Sequence, residues 1–198
     1  GLGGMLTLAS LWLGWTVLTL LLGALTLFVA FFFRNPSRTT PSDPGLIVSP
    51  ADGKICMITE AYEKRFLQEP RKRISIFMSV LNCHINRVPT SAKLLQTHYH
   101  PGKFHLANVD KASDFNEQHT LLLEDGQQNK FVLVQIAGFV ARRIVSYVKT
   151  GDQLAAGQRF GLIQFGSRVD IYLPKNAIVT ATVGQRVRGG ETVLGRLS

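Results

Sequence analysis

The chain has 198 residues, 45% of them hydrophobic, with 22 Lys and Arg against 13 Asp and Glu. That length fits one apolar segment plus one globular domain with a real core, and the net charge of +9 calls for an anionic partner, either nucleic acid or a lipid surface. Cys56 and Cys83 stand far apart without a Cys-x-x-Cys spacing, which argues against a zinc knuckle or a redox pair; both read as reduced core residues.

Residues 1–33 carry no charge, and Leu6 to Phe33 is an uncharged, mostly apolar run of 28. A helix of that length is about 42 Å long against a hydrocarbon core of about 30 Å. It is therefore expected to tilt, to break at Gly14 or Gly23, or to return as a hairpin. A cleaved signal peptide fits less well, because the run is too long and Phe31-Phe32-Phe33-Arg34 offers no small-residue cleavage site. Residues 1–33 thus read as a membrane anchor, and Arg34, Arg38 and Lys54 after it place the remainder on the cytoplasmic side of the cell membrane.

Residues 34–45 hold three prolines and no apolar periodicity, the composition of an extended linker. From 46 to 198 the pattern is one of short apolar or alternating runs: 46–48, 54–58, 74–81, 119–124, 131–137, 144–148 and 171–173. Asp125-Gly126 marks a hairpin turn. Residues 104–117 are the one stretch in this part with helical character. Thr150 to Phe160 matches Val183 to Val193 at a constant offset of 33, each with two glycines flanking a short strand. The predicted class is mainly β: a barrel-sandwich-like domain with an internal pseudo-repeat and one or two short helices, preceded by a membrane helix or hairpin.

Such a sandwich resembles lipoyl and biotinyl carrier domains, and Asp110-Lys111-Ala112-Ser113 resembles their modified turn. The order disagrees, since Lys111 precedes both repeat units, whereas in those carriers the lysine lies between the halves. A membrane-tethered carrier or adaptor is the alternative reading. Nucleic acid is disfavoured as the partner: there is no aromatic-basic run of the RNA-binding type, and an anionic bilayer lies nearer.

Two strand-like runs meet at Gly166-Ser167, where a hydroxyl stands one residue from a carbonyl that glycine leaves open. Alone, that step is a common turn. In order along the chain stand Ser49-Pro50-Ala51-Asp52-Gly53-Lys54, Leu81-Asn82-Cys83-His84-Ile85-Asn86-Arg87-Val88-Pro89, Tyr99-His100-Pro101-Gly102-Lys103-Phe104, Asp110-Lys111-Ala112-Ser113 with Asn116-Glu117, and Phe165-Gly166-Ser167-Arg168-Val169-Asp170. Together they resemble the short form of the phosphatidylserine decarboxylase family.

The resemblance implies an enzyme that makes its own cofactor. Ser167 would attack the Gly166 carbonyl, the resulting ester would eliminate, and loss of ammonia would leave a pyruvoyl group on a chain of 167–198, associated with a chain of 1–166. That group would take the substrate amine and accept the electrons released with carbon dioxide, converting phosphatidylserine to phosphatidylethanolamine. The resemblance makes His84 the catalytic histidine and Asp52 the carboxylate that orients or tunes a base for Ser167. Where long-form relatives have a second histidine, this chain has Arg87, whose planar fork suits a phosphate or carboxylate. His100 and Lys103 are further substrate-binding candidates. No metal is expected, since His98, His100 and His105 lack a supporting carboxylate or thiolate set. A homo-oligomer is compatible with all of this.

Overall fold

The structure, a computed structural model, describes residues 1–102, 116–138, 143–164 and 166–198. It divides into two compact units, Gly1–Pro36 and Ser37–Ser198. The helix expected over 104–117 lies outside the described residues, apart from Asn116 and Glu117.

In the first unit the apolar run forms two helices rather than one, a break that is among the expected alternatives. The apolar run breaks at Gly14, whose φ of +70° ends α1 (Leu2–Trp12) before α2 (Thr16–Phe32) begins. Neither helix, and none among the described residues, is long and apolar enough to cross a membrane. The two pack antiparallel along a seam of small residues. A Cβ at Gly3 would press on Thr26, Gly23 faces Thr7, and the Ser10 and Thr19 hydroxyls are hydrogen-bonded at 2.9 Å. The seam takes the polar side chains, so the outer surface is left to Leu2, Met5, Leu8, Trp12, Val17 and Leu27, all largely exposed.

The second unit is built on an eight-stranded antiparallel sheet. The strands are β1 (Leu46–Val48), β2 (Gly53–Glu63), β3 (Glu69–Met78), β4 (Ile85–Arg87), β5 (Ala92–His100), β6 (Gln118–Glu124), β7 (Lys130–Ile136), β8 (Ile144–Ser146), β9 (Gln153–Leu154), β10 (Arg159–Ile163), β11 (Ser167–Tyr172), β12 (Ala177–Val179), β13 (Arg186–Val187) and β14 (Val193–Leu197). The large sheet runs β13-β2-β3-β11-β7-β6-β5-β9; two three-stranded sheets, β1-β14-β12 and β4-β10-β8, complete the unit. One face of the large sheet and the small sheets enclose the main core of Ile47, Ile55, Ile74, Ile76, Leu121, Leu133, Phe160, Val169 and Leu194, among others. Opposite faces of a strand alternate, so Leu122, Val132, Val134 and Ile136 form a second cluster, packed by Phe66 and Leu67. Those two come from the β2–β3 turn, whose shape is set by the buried Glu63 carboxylate accepting the Arg65, Phe66 and Leu67 amides.

The strand orders are palindromic, and this extends the repeat seen in the sequence to the whole unit. Residues 85–163 form one half without interruption. The other half is split into 46–78 and 167–197, with the first half inserted between. β2 pairs with β3 as β5 pairs with β6, and each pairing carries a bulge at the matching place, between Ile55 and Met57 and between Leu94 and Gln96. Gly151 and Gly184, at φ +98° and +90°, donate to the carbonyls of Leu94 and Ile55, both at 2.8 Å. Cys56 falls at one of these bulges and is exposed, which corrects its expected place in the core; Cys83 is buried.

Candidate active site

Ser167 begins β11 and pairs with Met78, the last residue of β3. It is fully buried, and its Oγ has no hydrogen-bond partner among the described residues. A buried, unsatisfied hydroxyl costs about 1–3 kcal/mol, so its retention asks for an explanation in chemistry. Gly166 beside it has φ +40°, a region glycine tolerates best, and a Cβ built on it would meet nothing within 4 Å.

His84 reaches the same corner by a second route. Beyond β3 the chain turns through Ser79–Asn82, where the Asn82 Oδ1 accepts both the Ser79 amide and its hydroxyl at 2.8 Å. The His84 carbonyl then accepts the Ile163 amide at 3.2 Å, four residues before Ser167. The two stretches are thus tied twice, Met78 to Ser167 and His84 to Ile163, and His84 is only 2% exposed. Its Nδ1–H donates to the Asn82 carbonyl at 2.9 Å, which leaves the lone pair on Nε2.

Behind this corner runs a buried polar chain that the sequence reading did not single out. The His119 Nδ1–H donates to Gln135 Oε1 at 3.1 Å, Gln135 Nε2 to Asn86 Oδ1 at 2.7 Å, and Asn86 Nδ2 to the Met78 sulfur at 3.6 Å. It ties β6, β7 and β4 to the residue that pairs with Ser167. Burial pushes the His119 pKa below the ordinary histidine value, against the partial support of its Gln135 bond. The signal available in the sequence was a polar residue inside each apolar run, His119 and Gln135 within β6 and β7. Asn116 and Glu117, part of the family-like motifs, bond to neighbouring segments. Asn116 Nδ2 donates to the Ala137 carbonyl at 2.7 Å, while Glu117 Oε1 accepts the Tyr99 hydroxyl at 3.0 Å and the Ile144 amide at 3.2 Å.

Asp52 is placed differently. Its Oδ1 accepts the Gly189 amide at 2.7 Å and its Oδ2 accepts Arg38 Nη2 at 2.7 Å, so its bonds go to a turn and to the linker rather than to His84 or Ser167. It belongs to the turn that holds β4 in place, because the Arg87 amide donates to the Pro50 carbonyl at 2.8 Å. Arg87 itself donates to the Gly157 carbonyl at 2.9 Å; burial and the nearby Arg38 lower its pKa.

His100 stands on the other face of the sheet. Its neighbours across the strands are Gln118, Ile136 and Arg168, and residues paired across a sheet share a face. That face forms a cleft of about 590 Å³ lined by His100, Arg73, Gln118, Ile136, Asp170 and Tyr172. In its floor Arg168 Nη2 donates to Asp170 Oδ2 at 3.0 Å, with both side chains almost fully buried. Lys103 lies outside the described residues.

A family model described as phosphatidylserine decarboxylase matches residues 25–195. Proteins named phosphatidylserine decarboxylase proenzyme are similar along nearly the whole chain. That of Syntrophotalea carbinolica is 50% identical over 197 residues, covering 100% of this chain and 92% of the relative. Those of Geotalea uraniireducens and Ruegeria pomeroyi are 49% and 48% identical, over 99% and 94% of this chain and 92% and 87% of their own. The proenzyme relatives and a buried serine, its hydroxyl unbonded among the described residues and preceded by a positive-φ glycine, point the same way: this chain belongs to the phosphatidylserine decarboxylase family.

Proposed function

We propose that the chain is the precursor of a pyruvoyl-dependent enzyme that decarboxylates phosphatidylserine to phosphatidylethanolamine after cleaving itself between Gly166 and Ser167. The observation that carries this reading is the buried Ser167 hydroxyl, unbonded among the described residues and next to a carbonyl on an unhindered, positive-φ glycine. These residues fit the prosthetic group. The hydroxyl is buried, and its nucleophilicity needs only a base.

His84 is that base. With Nδ1–H committed to Asn82, Nε2 is the atom that takes the Ser167 proton as Oγ adds to the Gly166 carbonyl. The C–N bond then breaks, the nitrogen gains the proton, and the acyl group resides on Oγ as an ester. Removal of the Ser167 α-proton expels the Gly166 carboxylate; the enamine left behind becomes an imine, and water releases ammonia. A pyruvoyl group at position 167 would supply a ketone for the substrate amine and an electron sink for the decarboxylation. His84 then serves as the proton donor at the corner. Asp52 acts at one remove, by fixing the turn that holds β4 and with it His84.

The two chains stay together because β11 lies between β3 and β7, paired through six and five residues, and β14 lies between β1 and β12. Residues 1–33 serve as a membrane-associated hairpin, supported by an outer surface apolar on all sides and a polar seam turned inward. The catalytic unit then lies on the cytoplasmic side, next to the anionic phospholipid. A denaturing gel and an intact-mass spectrum test the core of this reading. Chains 1–166 and 167–198 are expected, the smaller lighter by one ammonia than a serine-headed peptide. A single chain, or a free serine terminus, refutes it.

A further inference from the structure

The turn that carries Asp52 has a counterpart in the other half of the unit. Lys54 and Lys93 occupy matching places in β2 and β5, so Asp52 matches Ser91. Both side chains do the same structural work: Asp52 Oδ1 accepts the Gly189 amide at 2.7 Å, and Ser91 Oγ accepts the Ala156 amide at 3.1 Å. The turn therefore requires one acceptor, and a hydroxyl suffices. The second carboxylate oxygen of Asp52 has another partner, Arg38.

Arg38 comes from the segment expected to be a plain linker, yet its side chain is only 9% exposed. Its fork bridges two carboxylates, with Nη2 at 2.7 Å from Asp52 Oδ2 and Nη1 at 3.1 Å from Glu191 Oε2, while the Thr39 amide donates to Glu191 Oε1 at 3.2 Å. Burial works to lower its pKa, but Asp52 and Glu191 more than offset this and hold it above the ordinary arginine value. Two residues on, Thr40 fills the space over Gly157, where a Cβ would collide with it. Arg87 is close to both Arg38 and Asp52. A carboxylate released by Arg38 would be drawn to Arg87 and would pull on β4, three residues from His84.

We infer that Arg38 is a positioning residue for Asp52, so that the linker contributes to the self-cleavage site through this one bond rather than through its docking as a whole. This rests on Asp52 belonging to the site. Arg38 does not touch the reacting atoms; it fixes the carboxylate that fixes the turn. Misplacing a catalytic group by about 1 Å costs roughly 100-fold, so Arg38→Met is expected to slow self-cleavage by about 10- to 100-fold.

The test is a mutant cycle on the full chain, following the first-order conversion of newly made precursor to two chains, with the melting temperature of each variant measured alongside. Asp52→Asn is expected to slow cleavage, and Arg38→Met/Asp52→Asn to be no slower than Asp52→Asn alone. Glu191→Gln, which weakens linker docking but leaves the Arg38–Asp52 bond, should stay within about fivefold of the wild type. If Arg38→Met does not fold, Arg38→Lys takes its place, since it keeps the charge and loses the fork. Independent, multiplying effects of the two substitutions would overturn the inference, as would equal losses from Arg38→Met and Glu191→Gln, which would reduce Arg38 to a docking contact. A wild-type rate for Asp52→Asn would remove the underlying assignment instead, whereas slow Asp52→Asn with normal Arg38→Met would remove this inference alone.

Discussion

The two halves of the β unit differ most where they match most closely in register. In the contiguous half, β6 and β7 are joined by the tight turn Asp125–Asn129. The Asp125 side chain accepts the Gln127 and Asn129 amides at 2.8 Å, and Gln128 is held at φ +64°. In the split half the matching strands are β3 and β11. Phe77 pairs with Arg168 as Glu124 pairs with Lys130, so Met78 stands for Asp125, Gly166 for Gln128 and Ser167 for Asn129. The step at Gly166, φ +40°, repeats the left-handed conformation of Gln128. The difference is that the turn has been opened and the whole of the other half inserted into it. The serine thus keeps a turn's backbone geometry while its hydroxyl has none of the turn's hydrogen-bonding partners among the described residues.

The sharpest way to break that comparison is Ser167→Ala. It should give one uncleaved, inactive polypeptide that folds normally, visible as a single mass, since the sheet needs only the backbone of that residue. Cleavage in this variant would place the reaction elsewhere. His84→Ala should come next, with decarboxylation reduced roughly 10²- to 10⁴-fold in a radiolabelled carbon dioxide release assay. Full activity would show that the histidine does no more than pack.

The comparison can be sharpened by giving the intact turn the same dipeptide. Gln128→Gly/Asn129→Ser places Gly-Ser at the matching step, and no additional fragment ending at residue 128 is expected by mass, because that turn keeps the Asp125 bonds and has no counterpart of His84. A third chain would mean that turn geometry alone drives the reaction. Gln135→Leu removes the middle of the buried polar chain and leaves His119 and Asn86 unsatisfied, which should cost about 1–3 kcal/mol in denaturant unfolding. An unchanged midpoint would mean that the chain is not what ties β4 to the large sheet.

The smallest effect concerns pH. His119 has a lowered pKa in the folded state, so below the ordinary histidine value of about 6.5 the unfolded chain binds the proton more readily. Stability is therefore expected to fall as the pH drops from about 6.5 toward the lowered value, and to be flat above it with respect to this group. His119→Gln should flatten the acid side of the stability profile; an unchanged slope would assign the effect to other groups.

Much of this was legible in the sequence, for identifiable reasons. Strands such as β1, β6 and β7 announce themselves because they are buried on one or both faces and read as apolar runs. β5 did not, since Ala92–His100 alternates buried and exposed positions with Gln96, Thr97 and His98 among them. The glycine repeat was visible because two left-handed turns demand glycine at fixed spacing. The larger symmetry was not, because pairing between β2 and β5 as equivalents rests on backbone register, with Pro50/Pro89 and Lys54/Lys93 as the traces left in side chains. Arg38 was hidden for a related reason. A proline-rich composition describes a segment's local stiffness and says nothing of a carboxylate pair waiting 14 and 153 residues further on.

The central place of β11 has a consequence for the life history of the molecule. Before cleavage, folding is unimolecular, and the last strands are tethered to the rest at a high effective concentration. After cleavage, recovery from unfolding requires two separate polypeptides to find each other, so its rate depends on concentration and is weakened by dilution. In the proposed reaction, the act that creates the reactive group would also discard the covalent means of regenerating the fold. The mature protein is then expected to persist through a slow unfolding rate rather than through repeated refolding, much as a spring-loaded part can be assembled once. On the proposed cleavage, each molecule would have one opportunity to set its architecture, closing when the bond after Gly166 is cut.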